Sequence, residues 1–238
     1  MVSTVGWPHQ LPNSASPLST GSILDMAKRS SSQGSERDWD VGRFDRWARR
    51  YDSSVFQLIF FRRVHRRVQK VLSPTGGEMV LDVGCGTGSL AIGLHTASGA
   101  RVVGVDPASA MIATARQKSA GQGPVFAVAA AEHLPFDDSS FDAAVSAASA
   151  HHWKDPAAGF LELSRVVRPG GRLVVADVGS LGPVVGAMRW ARRVDPHHHK
   201  GWTSSQLADL LYDAGFHAVR ARTERMMGGD VVTIAARR

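Results

Sequence analysis

The chain has 238 residues, 43% of them hydrophobic, and a formal net charge of +7. This length holds one ordinary α/β domain with an appendage, and no apolar run approaches the roughly 18–20 residues of a membrane span. The single cysteine, Cys85, excludes an internal disulfide and a multi-cysteine zinc site. Residues 28–72 carry twelve Lys/Arg against five Asp/Glu, whereas residues 73–238 are nearly balanced. A nucleic-acid surface extending over the whole fold is therefore not expected.

The first 37 residues are rich in Ser, Pro, Gly, Thr and Asn and show no hydrophobic periodicity. This composition predicts a disordered leader over residues 1–37. No apolar stretch is long enough for a signal peptide, and Arg is too scarce for an organelle transit peptide, so a cytoplasmic location is expected. Translation could start at Met1 or at Met26.

Residues 38–75 are expected to form an N-terminal helical cap with two helices, at about 41–52 and about 54–72. The second helix is amphipathic. Its predicted apolar face consists of Phe60, Phe61, Val64, Val68, Val71 and Leu72. Its basic face consists of Arg62, Arg63, Arg66, Arg67 and Lys70. Three interpretations of the basic face stay open: a solvated surface, contact with a membrane or an anionic lipid-like substrate, and RNA binding.

From Glu78 onward the pattern alternates between strands and helices, which is typical of a doubly wound parallel sheet. Strands are predicted at 79–83, 101–105, 124–128, 141–146, 171–177, 217–223 and 230–236. Helices are predicted at 88–97, 108–119 and 156–167, followed by one that opens at the capping box Thr203-x-x-Gln206 and stops at Gly215. Arg168-Pro-Gly-Gly171 is predicted to be a turn. Residues 76–238 thus form the main domain.

The most informative segment is the run from Val80 to Gly88, which predicts a buried strand, a glycine-rich turn and the start of a helix. Glycines at 84, 86 and 88 let backbone N–H groups approach a ligand closely. The following helix N-terminus favours a carboxylate or another anion. The spacing is G-x-G-x-G after Asp82, whereas a dinucleotide site has G-x-G-x-x-G. A nicotinamide dehydrogenase is therefore disfavoured.

A second acid follows the next strand. Asp106 lies twenty residues after Gly86, at the carboxyl end of the strand beside the glycine turn. An acid in this place can accept hydrogen bonds from two ribose hydroxyls, although an Asp before a helix is often only a cap. Ribose binding is the favoured interpretation.

Two further motifs occur in order, Ala129–Asp142 (AAAEHLPFDDSSFD) and Arg165–Arg172 (RVVRPGGR). Together with the glycine turn and Asp106, they resemble the class I S-adenosylmethionine-dependent methyltransferases, most closely the ubiquinone/menaquinone C-methyltransferase group. The resemblance covers roughly residues 41–238. It implies an α/β, doubly wound, seven-stranded, mostly parallel sheet with strand seven antiparallel and an N-terminal helical lid.

The resemblance also implies S-adenosyl-L-methionine as cofactor and assigns roles by position. Residues expected around its methionine end are Asp82, Gly84, Gly86 and Thr87. Asp106 would hold the ribose. Residues expected beside the adenine are Met111, Ala130, Ala131 and Glu132, and Ser146 would line the site. Cys85 lies within the turn, where packing is favoured over reactivity. Many relatives carry Asp or Asn where this chain has Ala130, so the adenine contact must come from backbone, Glu132 or water; Glu132 could equally be a solvated carboxylate.

The segment from Ser146 to Trp153 lacks the Asn/Asp-Pro-Pro-aromatic element usual in methyltransferases that act on amines of nucleic-acid bases. Base N-methylation is therefore disfavoured. His151 and His152 are candidates for a general base or for lining the acceptor pocket. Trp153, with Phe60 and Phe61, could supply apolar walls.

The triplet His197–His199 invites a metal interpretation. Three adjacent histidines cannot all face one ion without distortion, and zinc-site cysteines are missing, so no metal is expected. The stretch resembles the lid region of the quinone methyltransferase relatives, in which His198 would face the substrate.

The sequence therefore predicts methyl transfer from S-adenosylmethionine to carbon or oxygen of a small or lipid-like acceptor, such as a quinone or natural product. One alternative is an RNA methyltransferase that uses the basic helix, although nucleic acid is considered unlikely as a partner. Another is a non-catalytic cofactor-binding regulatory protein. The acceptor and the methylated atom stay open.

Overall fold

In the computed structural model, the described residues are 55–120, 123–181, 201–226 and 229–238. The helices are α1 (Val55–Leu72), α2 (Ser89–Ser98), α3 (Ser109–Ser119), α4 (Pro156–Val166) and α5 (Ser204–Asp213), with a short 3₁₀ helix at Ala150–His152. The strands are β1 (Met79–Val83), β2 (Arg101–Asp106), β3 (Val125–Val128), β4 (Phe141–Ala147), β5 (Val167–Leu181), β6 (His217–Met226) and β7 (Gly229–Arg237). The predicted leader, the helix at 41–52 and His198 lie outside these residues.

The seven strands form one sheet in the order β3-β2-β1-β4-β5-β7-β6. Strands β1 to β5 are parallel, and β7 runs antiparallel between β5 and β6. The doubly wound, seven-stranded fold with an antiparallel strand seven is therefore confirmed. Asp82 of β1 lies opposite Gly104 of β2 and Val145 of β4. The carboxyl ends of these parallel strands thus meet at one edge, where ligands bind in open α/β sheets.

Helices cover both faces of the sheet. On one face, Phe160 and Leu163 of α4 and Leu207 and Leu211 of α5 are buried against the strands. On the other face, the apolar sides of α1, α2 and α3 pack in a second cluster. This arrangement explains why the central strands are apolar on both sides rather than alternating.

Helix α1 confirms the predicted amphipathic helix. Val64, Val68 and Leu72 are buried at a spacing of four residues, which places them on one helix face. Four of the predicted basic residues are exposed: Arg62, Arg63, Arg66 and Lys70. Arg67 is only partly exposed, and its guanidinium lies 3.8 Å from the Glu224 carboxylate of β6. No described helix is both long enough and apolar enough to span a membrane.

The start of β5 corrects one prediction. The strand begins at Val167, four residues before the predicted start, and the segment 168–171 belongs to it rather than to a preceding turn. Val167 lies opposite Phe141, and pairing resumes between Ala143 and Arg172 after a register shift. Gly170 adopts a positive φ of 76° within the resulting bulge. Turn-forming residues here bend a strand instead of ending it.

The capping box before α5 is confirmed. The Thr203 hydroxyl accepts from the Gln206 N–H, and the Gln206 side chain accepts in return from the Thr203 N–H at 2.9 Å. The helix ends at Asp213, and Gly215 has a φ of 89° just beyond it. Both ends agree with the sequence signals.

Candidate functional site

The glycine-rich turn lies at the carboxyl end of β1. The backbone N–H groups of Gly84 and Cys85 donate to the Val105 carbonyl at 2.8 and 3.0 Å, which anchors the turn to β2. Gly84 has a φ of 72°, and a Cβ there would overlap the Ser149 side chain. At Gly88, with a φ of 78°, a Cβ would lie 2.7 Å from the Phe126 ring. Neither position can carry a side chain without displacing its neighbour.

Gly86 differs from these two glycines. Its φ is 53°, yet a Cβ built on it would meet nothing within 4 Å. The turn therefore leaves open space at its centre, and a side chain there would fill that space.

Asp106 at the end of β2 organises the turn. Its Oδ2 accepts from the Gly86 N–H at 2.9 Å, and its Oδ1 accepts from the Ala108 N–H at 2.9 Å. A carboxylate has about four acceptor positions, which is more than these two bonds occupy. The side chain is also partly exposed. Asp106 can therefore hold the turn and still accept ligand hydroxyls.

Two polar side chains are buried at the ends of neighbouring strands. Asp82 is 1% exposed and Ser146 is fully buried, and the Asp82 Oδ2 and Ser146 Oγ have no hydrogen-bond partner among the described residues. Burial, reinforced by the Asp106 charge and opposed by the Ala91 N–H, raises the pKa of Asp82 from 3.8 to about 7. A buried polar atom without a hydrogen-bond partner calls for an explanation, and a bound ligand that supplies the partner is one.

These observations fit a cofactor with a cationic amino-acid end and a ribose. Asp82 and Ser146 offer buried polar atoms, Gly86 leaves space, and Asp106 offers a carboxylate beside that space. This is the place that the sequence assigned to S-adenosylmethionine. The separate role of each residue stays a prediction.

Lys118 of α3 braces the outer side of the turn. Its Nζ lies 3.1 Å from the Thr87 hydroxyl and 2.8 Å from the Ser89 hydroxyl, where α2 begins. Thr87 itself is buried. These bonds connect α3 with the start of α2 and hold the end of the glycine-rich turn in place.

Cys85 points toward β2, where a Cβ on Gly104 would lie 3.0 Å from its sulfur. Burial, followed by the charges of Asp82 and Asp106, raises the pKa of the Cys85 thiol well above its ordinary value. A thiol of raised pKa is a poor nucleophile, which supports the packing interpretation.

The segment predicted to contact adenine follows β3. Ala131 and Met111 are buried, and Ala130 is partly exposed. The Glu132 Oε1 accepts from the Asp155 N–H at 3.0 Å, so this carboxylate ties the segment to the start of α4. Its contact with adenine stays a prediction.

Arg165 of α4 clamps the end of the same segment. Its guanidinium donates to the carbonyls of Leu134 and Phe136 at 2.9 and 2.7 Å and to the Asp138 carboxylate at 2.9 Å. Glu162 accepts twice from Arg165, at 2.7 and 2.8 Å, and also accepts from the Leu134 N–H at 2.9 Å. Hydrogen bonding to Arg165 is the main cause that lowers the pKa of Glu162.

The 3₁₀ helix after β4 carries the predicted histidines. His151 Nδ1 lies 2.6 Å from Asp177 Oδ1, and the His151 backbone N–H donates to Asp177 Oδ2 at 3.0 Å. Asp177, near the end of β5, is 1% exposed and also accepts from the Val178 N–H at 2.7 Å. In a neutral imidazole, a carboxylate at Nδ1 favours the tautomer with the proton on that nitrogen, in which Nε2 is an acceptor.

The neighbours of His151 hold the 3₁₀ helix in place. The His152 ring packs on the His151 ring, with their centroids 3.9 Å apart. Trp153 is 8% exposed, packs against Phe160, and donates its indole N–H to the Ser149 hydroxyl at 3.1 Å. Trp153 thus supports the helix from the core, and its role as an acceptor wall stays a prediction. The side chain of Phe60 lies outside the described part.

Sequence reasoning missed Asp177, Ser149, Lys118 and Arg165. Asp177 carries a detectable signal, because an acid that ends a buried apolar strand is the same pattern that singled out Asp106. The others act through contacts with distant segments and have no local signature. Among the described residues, no group of three or more His, Cys, Asp or Glu side chains could hold a metal ion.

Comparison with known proteins identifies a methyltransferase domain in this chain. A methyltransferase domain model matches residues 81–175. The O-methyltransferase cnsE of Penicillium expansum is 35% identical over 161 residues, covering 66% of this chain and 58% of that protein. A demethylmenaquinone methyltransferase of Clavibacter sepedonicus is 40% identical over 109 residues, covering 45% of this chain and 44% of that protein. The chain therefore spans about half the length of these curated relatives.

Solved structures agree in fold. Phosphoethanolamine N-methyltransferase 2 of Haemonchus contortus, in complex with S-adenosyl-L-methionine, superposes with a TM-score of 0.65 at 16% identity, covering 82% of this chain and 60% of that chain. A methyltransferase of Aquifex aeolicus has a TM-score of 0.58 at 22% identity, covering 72% and 88%. At these identities the likeness concerns the fold alone. The motifs, the fold and the domain match together identify the part of the chain that includes residues 81–175 as a class I S-adenosylmethionine-dependent methyltransferase domain.

Proposed function

We propose that the protein transfers a methyl group from S-adenosylmethionine to oxygen, or to an acidic carbon, of a small or lipid-like acceptor. The observation that carries this proposal is the 2.6 Å contact between His151 Nδ1 and the buried Asp177 carboxylate. This pair lies beside the glycine turn, because Ser149, two residues before His151, covers Gly84. A general base is thereby available next to the proposed cofactor site.

The His151–Asp177 pair can remove the proton that the acceptor must lose. When bound, the cofactor supplies a methyl group made electrophilic by its sulfonium. A hydroxyl or acidic carbon must lose a proton as it reacts. His151 Nε2 can take that proton, and Asp177 stabilises the imidazolium that forms. His151 is only partly exposed, its side chain having 13% of its surface accessible, so the proton is removed in a site that excludes most water.

Holding the reactants in line is the other contribution of the protein. Positioning alone can supply roughly 7–11 kcal/mol of a barrier when the reacting atoms are aligned. Residues proposed to hold the cofactor are Asp82, Gly84, Gly86, Thr87, Asp106 and Ser146. The backbone bonds that fix the turn to Val105 give this half of the site a rigid base.

The relatives support the acceptor class. The Penicillium relative is named an O-methyltransferase, and the Clavibacter relative is named for demethylmenaquinone. We propose that this chain likewise acts on a hydroxyl-bearing aromatic or quinol-like compound. A cofactor-binding protein without catalysis would bind S-adenosylmethionine yet form no methylated product.

The test compares three probes with isotopically labelled S-adenosylmethionine: a naphthoquinol, a catechol and an aliphatic amine. We expect labelled product from at least one of the first two and none from the amine, by mass spectrometry. His151→Gln and Asp177→Asn should each lower turnover by about 10²–10⁴-fold, the range of general-base and orienting-carboxylate losses, without changing cofactor affinity. His152→Gln is the matched control. Transfer to the amine alone, or full turnover in His151→Gln, would refute the proposal.

A further inference from the structure

A basic surface extends from helix α1 to the edge strand β6. Its α1 part consists of Arg62, Arg63, Arg66, Arg67 and Lys70, and its β6 part consists of Arg220 and Arg222; these seven residues are called the basic face. We propose that the basic face docks the protein on a membrane surface that contains anionic phospholipids.

The sheet register places the β6 arginines beside α1. Arg220 lies opposite Ala235 of β7, and Glu224 lies opposite Val231. Ala235 and Val231 are buried in the same cluster as Val64 and Val68 of α1. Paired residues of antiparallel strands point to the same face of a sheet. Arg220, Arg222 and Glu224, which alternate along β6, therefore share the α1 side.

Glu224, the acid next to the basic face, forms ion pairs with two of its arginines. Glu224 lies 2.8 Å from Arg222 Nε and 3.8 Å from Arg67 Nη2. The Arg222 side chain keeps 59% of its surface accessible. Among the described residues, the seven members of the basic face and Glu224 together carry a net charge of +6.

The rest of the described chain has the opposite sign. Outside the basic face and Glu224, the described residues comprise ten Lys/Arg and thirteen Asp/Glu, a net charge of −3. The described part of the molecule therefore has a strongly asymmetric charge distribution, positive on the basic face and negative elsewhere. A polarised charge distribution not only attracts the protein to an anionic surface but also orients it, with the basic face inward.

Two observations favour a lipid surface over RNA. Single-stranded nucleic acid is held by exposed aromatic rings interleaved with basic residues. Among residues 61–120, 123–179, 201–225 and 229–238, whose side-chain exposure is described, the exposed large hydrophobic residues are Leu161 and Tyr212, on α4 and α5 across the sheet. In addition, five of the six residues at 55–60, where α1 begins, are apolar (VFQLIF). Apolar residues joined to a basic helical face are typical of helices that lie at membrane interfaces.

The beginning of α1 also points toward the site. Leu72 at its end leads into Met79 at the amino end of β1, and the helix is about 27 Å long, so it begins toward the carboxyl edge of the sheet. Docking through this surface would bring the glycine-turn edge close to the bilayer. An acceptor dissolved in lipid would then have a short path to the site.

The experiment measures binding of the full chain to phosphatidylcholine vesicles, with and without about one-third phosphatidylglycerol, by sedimentation. Each basic residue near an anionic surface is worth about a fivefold change in partitioning. Arg66→Gln/Arg222→Gln should therefore weaken binding about 25-fold. Binding should also be lost near 1 M salt, where the screening length falls to about 3 Å.

The matched control is Lys154→Gln/Arg225→Gln, which removes the same charge from exposed residues on the other side of the sheet. It should change binding by less than about threefold. Thermal melts of both double variants establish that they are folded. Equal loss in both pairs, equal binding to neutral vesicles, or no binding to either vesicle would overturn the proposal. So would salt-sensitive binding of an RNA duplex that only Arg66→Gln/Arg222→Gln abolishes. No methyl transfer is measured, so failure here is distinguishable from failure of the proposed function.

Discussion

Replacing Asp106 with alanine tests the cofactor site most directly. The Asp106 carboxylate accepts from the Gly86 and Ala108 N–H groups, both at 2.9 Å. Hydrogen bonds to a charged group contribute about 1.5–3 kcal/mol each, and partial exposure of Asp106 favours the lower end. Asp106→Ala should therefore lower the free energy of unfolding by about 3 kcal/mol, as measured by urea denaturation.

The effect on cofactor affinity is separate from this cost. If Asp106 accepts from both ribose hydroxyls, its loss removes two more charge-assisted bonds, again about 3 kcal/mol in total. The dissociation constant of S-adenosylhomocysteine should then rise about 150-fold, as measured by calorimetry. Asp106→Asn keeps one carbonyl oxygen as an acceptor and should lose about half of that free energy.

Deoxy analogues of S-adenosylhomocysteine distinguish ribose contact from distortion of the turn. In the wild-type protein, removing the 2′- or 3′-hydroxyl should weaken binding about tenfold, because each hydroxyl loses its acceptor. In Asp106→Ala the same removal should cost almost nothing, since the partner is already gone. If the hydroxyl matters equally in both proteins, or if Asp106→Ala binds with wild-type affinity, the ribose assignment is wrong.

Three further predictions concern neighbouring residues. Because burial raises the pKa of Asp82 to about 7, its carboxyl group is protonated below that pH in the free protein. The affinity for the cationic cofactor should therefore rise by up to about tenfold per pH unit toward pH 7 and then level off. Calorimetric titrations of Asp82→Asn should show no such slope. The same raised pKa means that Asp82 destabilises the folded state progressively between pH 3.8 and about 7. Gly84→Ala should lower the free energy of unfolding by about 1–3 kcal/mol and impair turnover, because the added Cβ overlaps Ser149. Gly86→Ala should mainly weaken cofactor binding, because a Cβ there meets nothing within 4 Å. Similar losses of stability in the two variants would contradict this difference between the two glycines. Arg165→Ala should lower stability by about 2–3 kcal/mol in urea, and Arg165→Lys should rescue it only in part because lysine lacks the forked donors.

The sequence predicts much of this fold because its signals are local. Strand β1, the turn and the start of α2 are recognisable from one run of nine residues, Val80–Gly88, in which buried residues give way to glycines. The capping box at Thr203 is equally local. Such features depend on neighbouring residues, so periodicity and spacing are enough to find them.

The parts that sequence reasoning missed depend on long-range pairing. Arg168–Gly171 has every property of a turn, yet Val167 finds Phe141 as a strand partner, and the bulge follows from that contact. Asp177 and His151 are 26 residues apart and meet only because β4 and β5 are adjacent in the sheet. The proposal of His151 rather than His152 as the base therefore depends on this contact and not on the segment that contains both residues.

The two halves of the site belong to different strand pairs. Most of the proposed cofactor residues lie at or just after the ends of β1 and β2, with Ser146 on β4, whereas His151 follows β4 and Asp177 lies on β5. The contact of Ser149 with Gly84 joins the halves directly, backbone against side chain, with no flexible group between them. A misplacement of about 1 Å between reacting groups can cost about a hundredfold in rate. The absence of a side chain at Gly84 thus has two consequences: it permits the left-handed turn, and it sets how closely the proposed base, His151, lies to the proposed cofactor site.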